Sequence, residues 1–190
     1  MVQVNLVNER DEVTGHADLL EAHRGKGLTH QAVSLFLFRK NAQQQWEILL
    51  QRRSHKKLVG GLQWANTLCA HPKPQESHPD CVKRRLQEEL GVIFNPTWLL
   101  EEVMVFPYQV RCDEQYSENE IDHFFAVKLD EQQATAFALN ISPDEVMETS
   151  WVLFEDLLSG KHEQQPLTPW TELFLANQRV IDILKDFLCR

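Results

Sequence analysis

Residues 70–92 read Ala70-His71-Pro72-Lys73-Pro74-Gln75-Glu76-Ser77-His78-Pro79-Asp80-Cys81-Val82-Lys83-Arg84-Arg85-Leu86-Gln87-Glu88-Glu89-Leu90-Gly91-Val92. Pro79 suits the first turn of a helix, and Gly91 is the residue type that ends one. Between them Val82, Leu86 and Leu90 recur at helical spacing and make one apolar stripe. Arg85 and Glu89, four residues apart, share another face. Glu89 can hold a magnesium ion there and Arg85 an anionic oxygen. The same two residues also fit a plain exposed ion pair, which contributes about 0.2–0.5 kcal/mol.

Just before the helix stands Cys69-Ala70-His71, and Glu118-Asn119-Glu120 repeats that spacing much later. Residues two apart on a strand point to one face. Cys69 and His71 therefore look into one cavity, and Glu118 and Glu120 into the same or another. His23 and His30 complete a set of three imidazoles, two carboxylates and a thiol. That set suffices for a nitrogen/oxygen metal site beside a thiol free for acid–base work. Zinc suits the imidazoles, and the carboxylates also admit manganese or magnesium. His16, His55, His78, His123 and His162 carry no assigned role.

Outward from this centre, Val33 to Phe38 and Trp46 to Leu50 read as strands around a polar turn at 41–45. Gly60-Gly61 marks a tight loop before Trp64 and a strand-like Asn66 to Cys69. Glu102 to Val110, Glu120 to Leu129 and Ser150 to Phe154 are further strands, the last leading into a helical Glu155 to Leu158. Pro169 to Leu188 has helical periodicity. Strands and helices mix without a βαβ rhythm, so the expected class is α+β, an α-β-α sandwich. With no repeat, low-complexity tract or linker, one domain over residues 1–190 is expected.

The chain has 190 residues, 43% apolar and 25% charged, and a formal net charge of -9. That acidity argues against nucleic acid or an anionic membrane as a partner. An anionic substrate would need basic residues gathered locally, and Arg52-Arg53-Ser54-His55-Lys56-Lys57 is such a cluster. The cysteines Cys69, Cys81, Cys112 and Cys189 have no CxxC spacing, so a zinc ribbon is excluded. The early charges Glu9 to Glu12 leave no apolar core for a signal peptide. The longest apolar stretch, Val33 to Phe38, is too short to cross a bilayer. A reducing, cytoplasmic location with free thiols is expected.

The stretch from Ala70 to Val92 also resembles the Nudix box, G-x5-E-x7-R-E-U-x-E-E-x-G-U with U aliphatic. Glu76, Arg84, Leu86, Glu88, Glu89, Gly91 and Val92 fall on that pattern, while Ala70 replaces the leading glycine and Arg85 a glutamate. In Nudix hydrolases the box glutamates gather divalent metals that activate water against a diphosphate. An arginine among them weakens that cluster, so binding a diphosphate is more expected than hydrolysing it.

With the box altered in this way, the chain resembles the type I isopentenyl-diphosphate isomerases of the Nudix superfamily from about His23 to Trp170. The matching runs include Lys26-Gly27-Leu28-Thr29-His30, Leu50-Gln51-Arg52-Arg53, Trp64 to Pro72, Tyr108, Glu118-Asn119-Glu120, Asp144-Glu145-Val146-Met147 and Thr168-Pro169-Trp170. The resemblance implies a Nudix-like mixed sheet flanked by helices and an isomerase of isoprenoid biosynthesis. It implies that Cys69 and Glu120 handle protons across the substrate, that Tyr108 supports Glu120, and that Trp170 faces the reacting carbons. It implies a manganese, magnesium or zinc ion on His23, His30, His71, Glu118 and Glu120, and a magnesium ion near Glu89 bridging to the diphosphate. Arg53, Lys57 and Arg85 would contact that diphosphate. Bacterial relatives often carry a lysine where this chain has Leu19, and Lys26 or Arg24 is expected to supply the charge. The family loop reads Pro-Gly where this chain has Gly60-Gly61-Leu62-Gln63. A monomer acting on a small prenyl diphosphate is expected. A Nudix hydrolase of a nucleoside or prenyl diphosphate and a non-catalytic metal-binding module are the alternatives.

Overall fold

A computed structural model of the chain describes residues 2–190. The N-terminal elements are β1 (Gln3–Val7), β2 (Val13–Asp18), α1 (Leu19–His23), β3 (His30–Lys40), β4 (Trp46–Arg53), β5 (Trp64–Ala65) and β6 (Leu68–Ala70). After them come α2 (His78–Leu90), β7 (Glu101–Arg111), β8 (Ser117–Leu129), α3 (Glu131–Ala136), β9 (Val146–Leu153), α4 (Phe154–Leu158), α5 (Pro169–Ala176) and α6 (Gln178–Cys189).

The nine strands form one mixed sheet with β3 as its spine. β8 runs parallel to β3 from His30 opposite Glu120 to Arg39 opposite Leu129. The other edge of β3 takes β1 at His30, β6 at Val33 to Leu35 and β4 at Phe38 to Lys40. β7 lies antiparallel outside β8, and β9 antiparallel to β4.

β3 is buried at every position from His30 to Phe38, as a strand covered on both faces must be. On one face Phe36, Phe38, Leu50, Phe124 and Ala126 meet Phe154, Trp170, Phe174, Leu184 and Phe187 of the C-terminal helices. On the other face Val33, Leu35, Leu37, Phe125 and Val127 meet Cys81, Val82, Leu86 and Leu90 of α2. The result is the expected helix–sheet–helix sandwich.

α2 has the signals its sequence carries. The Ser77 side chain accepts from the Asp80 N–H, Pro79 lies in the first turn, and Gly91 closes the helix at φ 67° with its N–H on Gln87 and Leu86 carbonyls. Elsewhere the structure departs from the sequence reading. The 169–188 stretch is two helices, because extended Asn177 turns its side chain to cap the N–H groups of Arg179 and Val180. The 66–69 strand is divided, because Asn66 and Thr67 satisfy neighbouring backbone with their own side chains: Asn66 Nδ2 donates to the Leu68 carbonyl and Thr67 Oγ1 to that of Leu49. The β1–β2 hairpin, α1 and α3 are additional elements. Among the described residues no helix is long and apolar enough to cross a membrane.

A Cβ on Gly91 would lie 2.3 Å from the Asn140 carbonyl oxygen, whereas one on Gly160, at φ 69°, meets nothing within 4 Å. Both glycines lie in the left-handed region, where a side chain costs roughly 1–2 kcal/mol. Gly160→Ala should therefore lose about that much stability in urea unfolding, and Gly91→Ala clearly more. Equal losses would show that the contact with Asn140 does not constrain the helix end.

Candidate active site

Strand alternation and register assemble the site before any side chain is considered. His30 faces Glu120 across β3–β8, and Ser34 faces Cys69 across β3–β6. Residues directly opposite share a face, and so do Glu118, Glu120 and Asp122 at alternate positions of β8. Tyr108 lies opposite Glu120 on β7. All of them emerge on the sheet face that carries Trp170. Cys69 and Glu120 stand on strands that flank β3 from opposite edges.

α1 brings His23 over this face, and the segment after β6 brings His71. One ligand atom from each of His23, His30, His71, Glu118 and Glu120 lies within 4.8 Å of every other. His23 Nδ1–H donates to the Leu19 carbonyl and His30 Nδ1–H to that of Leu28, each at 2.7 Å, which leaves both Nε2 atoms turned inward. The Leu19 contact is made by main chain, so it does not depend on the side chain at that position. His23 Nε2 is 2.8 Å from Glu118 Oε2, and His71 Nε2 is 2.9 Å from Glu120 Oε1. Among the described residues His30 Nε2, 3.4 Å from Glu120 Oε1, and Glu118 Oε2 are buried without a well-aligned hydrogen bond. Inward imidazole nitrogens with backbone behind them, among carboxylates and orphaned donor atoms, are compatible with a divalent metal site.

Burial and crowding spread the ionisation of this set. Burial drives His71 down to about 3 despite its contact with Glu120. Burial also opposes charge on His23, but the adjoining Glu118 and Glu120 carboxylates raise it to about 9. Glu120 would be raised by burial, yet the adjoining His30 and His71 imidazoles hold it well below the usual carboxylate range. Burial and the Glu120 charge raise Glu118, and push Asp122 far above the ordinary value. Tyr108, buried and donating its hydroxyl to Glu120 Oε2 at 2.5 Å, is raised likewise.

Cys69 lies beyond this group. Its thiol donates to Asn66 Oδ1 at 2.8 Å, lies 3.6 Å from Ser34 Oγ, and accepts the Trp170 indole N–H at 3.1 Å. Burial, then the nearby Asp122 carboxyl, pushes the thiol up and keeps it protonated. Trp170 is 2% exposed. The Arg53 guanidinium lies 5.1 Å from its ring centre.

A second charged cluster sits where α2 ends. Glu89, fully buried, receives Gln51 Nε2 at 3.0 Å and Arg85 Nε at 3.0 Å, and Lys57 Nζ is 3.7 Å away. Lys57 and Arg85 also both contact Glu145. Arg53 differs from them. It is buried, donates only to the Val59 carbonyl, has no carboxylate partner among the described residues, and leaves one terminal nitrogen unpaired. Lys26 is exposed and pairs with no acid among the described residues; its carbonyl accepts from Gln109. The structure does not bring it into this group.

Sequence reasoning did not single out Asp122, Ser34, Asn66 or Glu145. Asp122 was within reach, since it lies in the expected strand Glu120 to Leu129 at the next position of the alternation that picked out Glu118 and Glu120. Ser34 and Glu145 carry no local signal, because their partners are 35 and 60 residues away, whereas Asn66 is only three residues from Cys69 and reads in the sequence as an ordinary strand residue.

A family model for the NUDIX domain matches residues 28–172. An isopentenyl-diphosphate Delta-isomerase 2 from Aromatoleum aromaticum is 34% identical over 155 residues, covering 82% of this chain and 74% of that one. The isopentenyl-diphosphate Delta-isomerase of Pectobacterium atrosepticum is 32% identical over 189 residues, covering 98% of this chain and 96% of its own. Among solved structures, DR0079 from Deinococcus radiodurans superposes with a TM-score of 0.63 at 20% identity, over 90% of this chain and 96% of its own, a likeness of fold. A matched domain over most of the chain, together with relatives of this identity and coverage, means that the chain belongs to the isopentenyl-diphosphate Delta-isomerase family of Nudix-domain proteins.

Proposed function

We propose that this chain is an isomerase of isoprenoid biosynthesis, interconverting isopentenyl and dimethylallyl diphosphate by moving one proton onto the alkene and another off it. The observation that carries the reading is the opposition of Cys69 and Glu120 on one buried face, flanking β3. A double-bond shift needs a proton delivered to one carbon and removed from another, and two proton-handling groups on one sheet face, on strands either side of β3, meet that need.

An unactivated alkene is a poor base, so the acid must be well placed and the cation that forms must be stabilised and kept from water. The Trp170 indole suits this, since cation–π attraction reaches about 2 kcal/mol when desolvated. Its N–H on Cys69 ties the ring to the thiol. Tyr108, His30 and His71 hold Glu120 from other directions. The carboxylate therefore meets the substrate in a fixed orientation. A divalent ion held by His23, His30, His71, Glu118 and Glu120 would sharpen the acidity of Glu120 and fix its geometry.

The diphosphate is assigned to Arg53, Lys57 and Arg85, with a magnesium ion beside Glu89. Lys57 and Arg85 are balanced by Glu89 and Glu145, so a magnesium diphosphate can exchange with these ion pairs at little net change in charge. Arg53, a buried cation without an acid, has an anionic oxygen as its natural partner.

Incubation with isopentenyl diphosphate in deuterated buffer tests the reaction. Deuterated allylic product without phosphate release is expected. Released phosphate would make the chain a hydrolase, and neither outcome would leave a metal-binding module. Cys69→Ala and Glu120→Gln should each lower turnover by roughly 10²–10⁴-fold with the fold intact by circular dichroism; near-normal turnover in either variant removes its role. Arg53→Gln should raise KM by about 10–100-fold, the loss of a charge-assisted hydrogen bond, and a change confined to kcat would move Arg53 out of the diphosphate site. Stripping metal with a chelator should abolish turnover until manganese, magnesium or zinc is restored, and the most effective ion identifies the native one.

A further inference from the structure

His78 and His123, to which the sequence assigns no role, are brought together on the far side of the sheet. His123 follows Asp122 on β8, so its ring leaves the face opposite Glu118, Glu120 and Asp122. It is 7% exposed. Its Nδ1 lies 2.8 Å from Glu102 Oε1 on β7, and its Nε2 lies 2.8 Å from Asp11 Oδ2 in the β1–β2 turn. The ring of His78, the first residue of α2, stacks on it with centres 3.7 Å apart and planes 25° from parallel. One donor atom from each of Asp11, His78 and His123 falls within 4.8 Å of the others.

Both nitrogens of the His123 ring thus face carboxylate oxygens. A neutral imidazole has one N–H to offer, so one contact is repulsive unless a second proton or a cation lies in it. A carboxylate behind Nδ1 is also how metal-binding imidazoles are oriented, and Glu102 has that place. Asp11 is anchored in turn, since Gln31 Nε2 donates to its Oδ1 at 3.0 Å and Asn5 Nδ2 to Gln31 Oε1 at 3.0 Å.

We propose that Asp11, His78 and His123 form a second cation site, separate from the His23 cluster, for a borderline divalent ion of the zinc type. Two imidazoles and one carboxylate suit that ion, and three protein donors leave a fourth position for water. The stacked rings do not converge on one point, so one of them turns as the ion enters. The half-buried His78 at the helix start has the room. Glu102 is the orienting residue. An ion there ties the β1–β2 turn, the start of α2 and β8 together, segments that are distant in sequence.

The test is calorimetric titration of the metal-stripped full chain with zinc, alongside isomerase assays. Two binding events are expected in the wild type. His78→Ala should lose one of them, at a half-exposed position that leaves folding and turnover unchanged. Glu118→Gln should lose the other and keep the first. Glu102→Gln should weaken the second site by about 10–100-fold, the usual effect of removing a ligand's support. In the Glu118→Gln background, zinc should still raise the melting temperature, and adding His78→Ala should abolish that rise. A single event in the wild type, or two events surviving in His78→Ala, overturns the site whatever the outcome of the isomerase assay.

Discussion

The parallel ladder between β3 and β8 sets His30 opposite Glu120, and the rest of the site is measured from that pair. Side chains alternate along a strand, so a slip of one residue would send Glu118, Glu120 and Asp122 to the α2 face and bring His123 into their place. Apolar pairs further along the same strands oppose such a slip. Phe36 and Ala126 lie opposite one another within one core, and Leu35 and Phe125 within the other. β8 thus changes character along its length on a single face, from acidic at 118, 120 and 122 to apolar at 124 and 126. The packed half fixes the register that the polar half uses.

A chain with a net charge of -9 that binds a diphosphate needs its positive charge where solvent does not dilute it. The basic run at 52–57 divides that labour. Arg52 and Lys56 pair with Glu148 and Asp144 at partly or fully exposed positions, where ion pairs contribute little. Lys57 turns inward to Glu89 and Glu145, beside Arg85. Arg53 alone of this run goes under the surface without an acid among the described residues. Desolvating a guanidinium costs several kcal/mol unless it is paired, so its isolation makes sense when the partner is a ligand.

Much of this was legible from residues alone. Pro79 and Gly91 mark the ends of α2, and the repeated two-residue spacing at 69–71 and 118–120 brings together groups that the fold does bring together. The failures have physical causes. β2 is exposed or half-exposed throughout, so Val13 to Asp18 shows no inward alternation to read. The break at Asn177 is invisible to periodicity, because apolar residues continue on both sides and only the side-chain cap reveals it. Lys26 has the right charge in the right motif, yet it faces solvent, its carbonyl held by the Gln109 side-chain amide. His78 and His123, 45 positions apart in sequence, become neighbours only through the sheet.

The loop written Gly60-Gly61 in place of the family's Pro-Gly is explained by what it touches. A Cβ at Gly60 would lie 2.7 Å from Trp170 Cη2 and 3.0 Å from the Thr168 methyl, at a φ of 63° that few side chains accept. A Cβ at Gly61 would lie 2.8 Å from the Lys57 carbonyl oxygen. The loop therefore packs closely against the far edge of the indole, while Cys69 accepts its N–H. Arg53 sits 5.1 Å from the ring centre, and a second positive charge on the same aromatic face would meet repulsion at short range. Under the proposed isomerisation, a cationic intermediate would meet the ring on the face turned away from Arg53. Contacts at both edges of the ring would keep those faces distinct, one towards the arginine proposed for the diphosphate and one for the carbon skeleton.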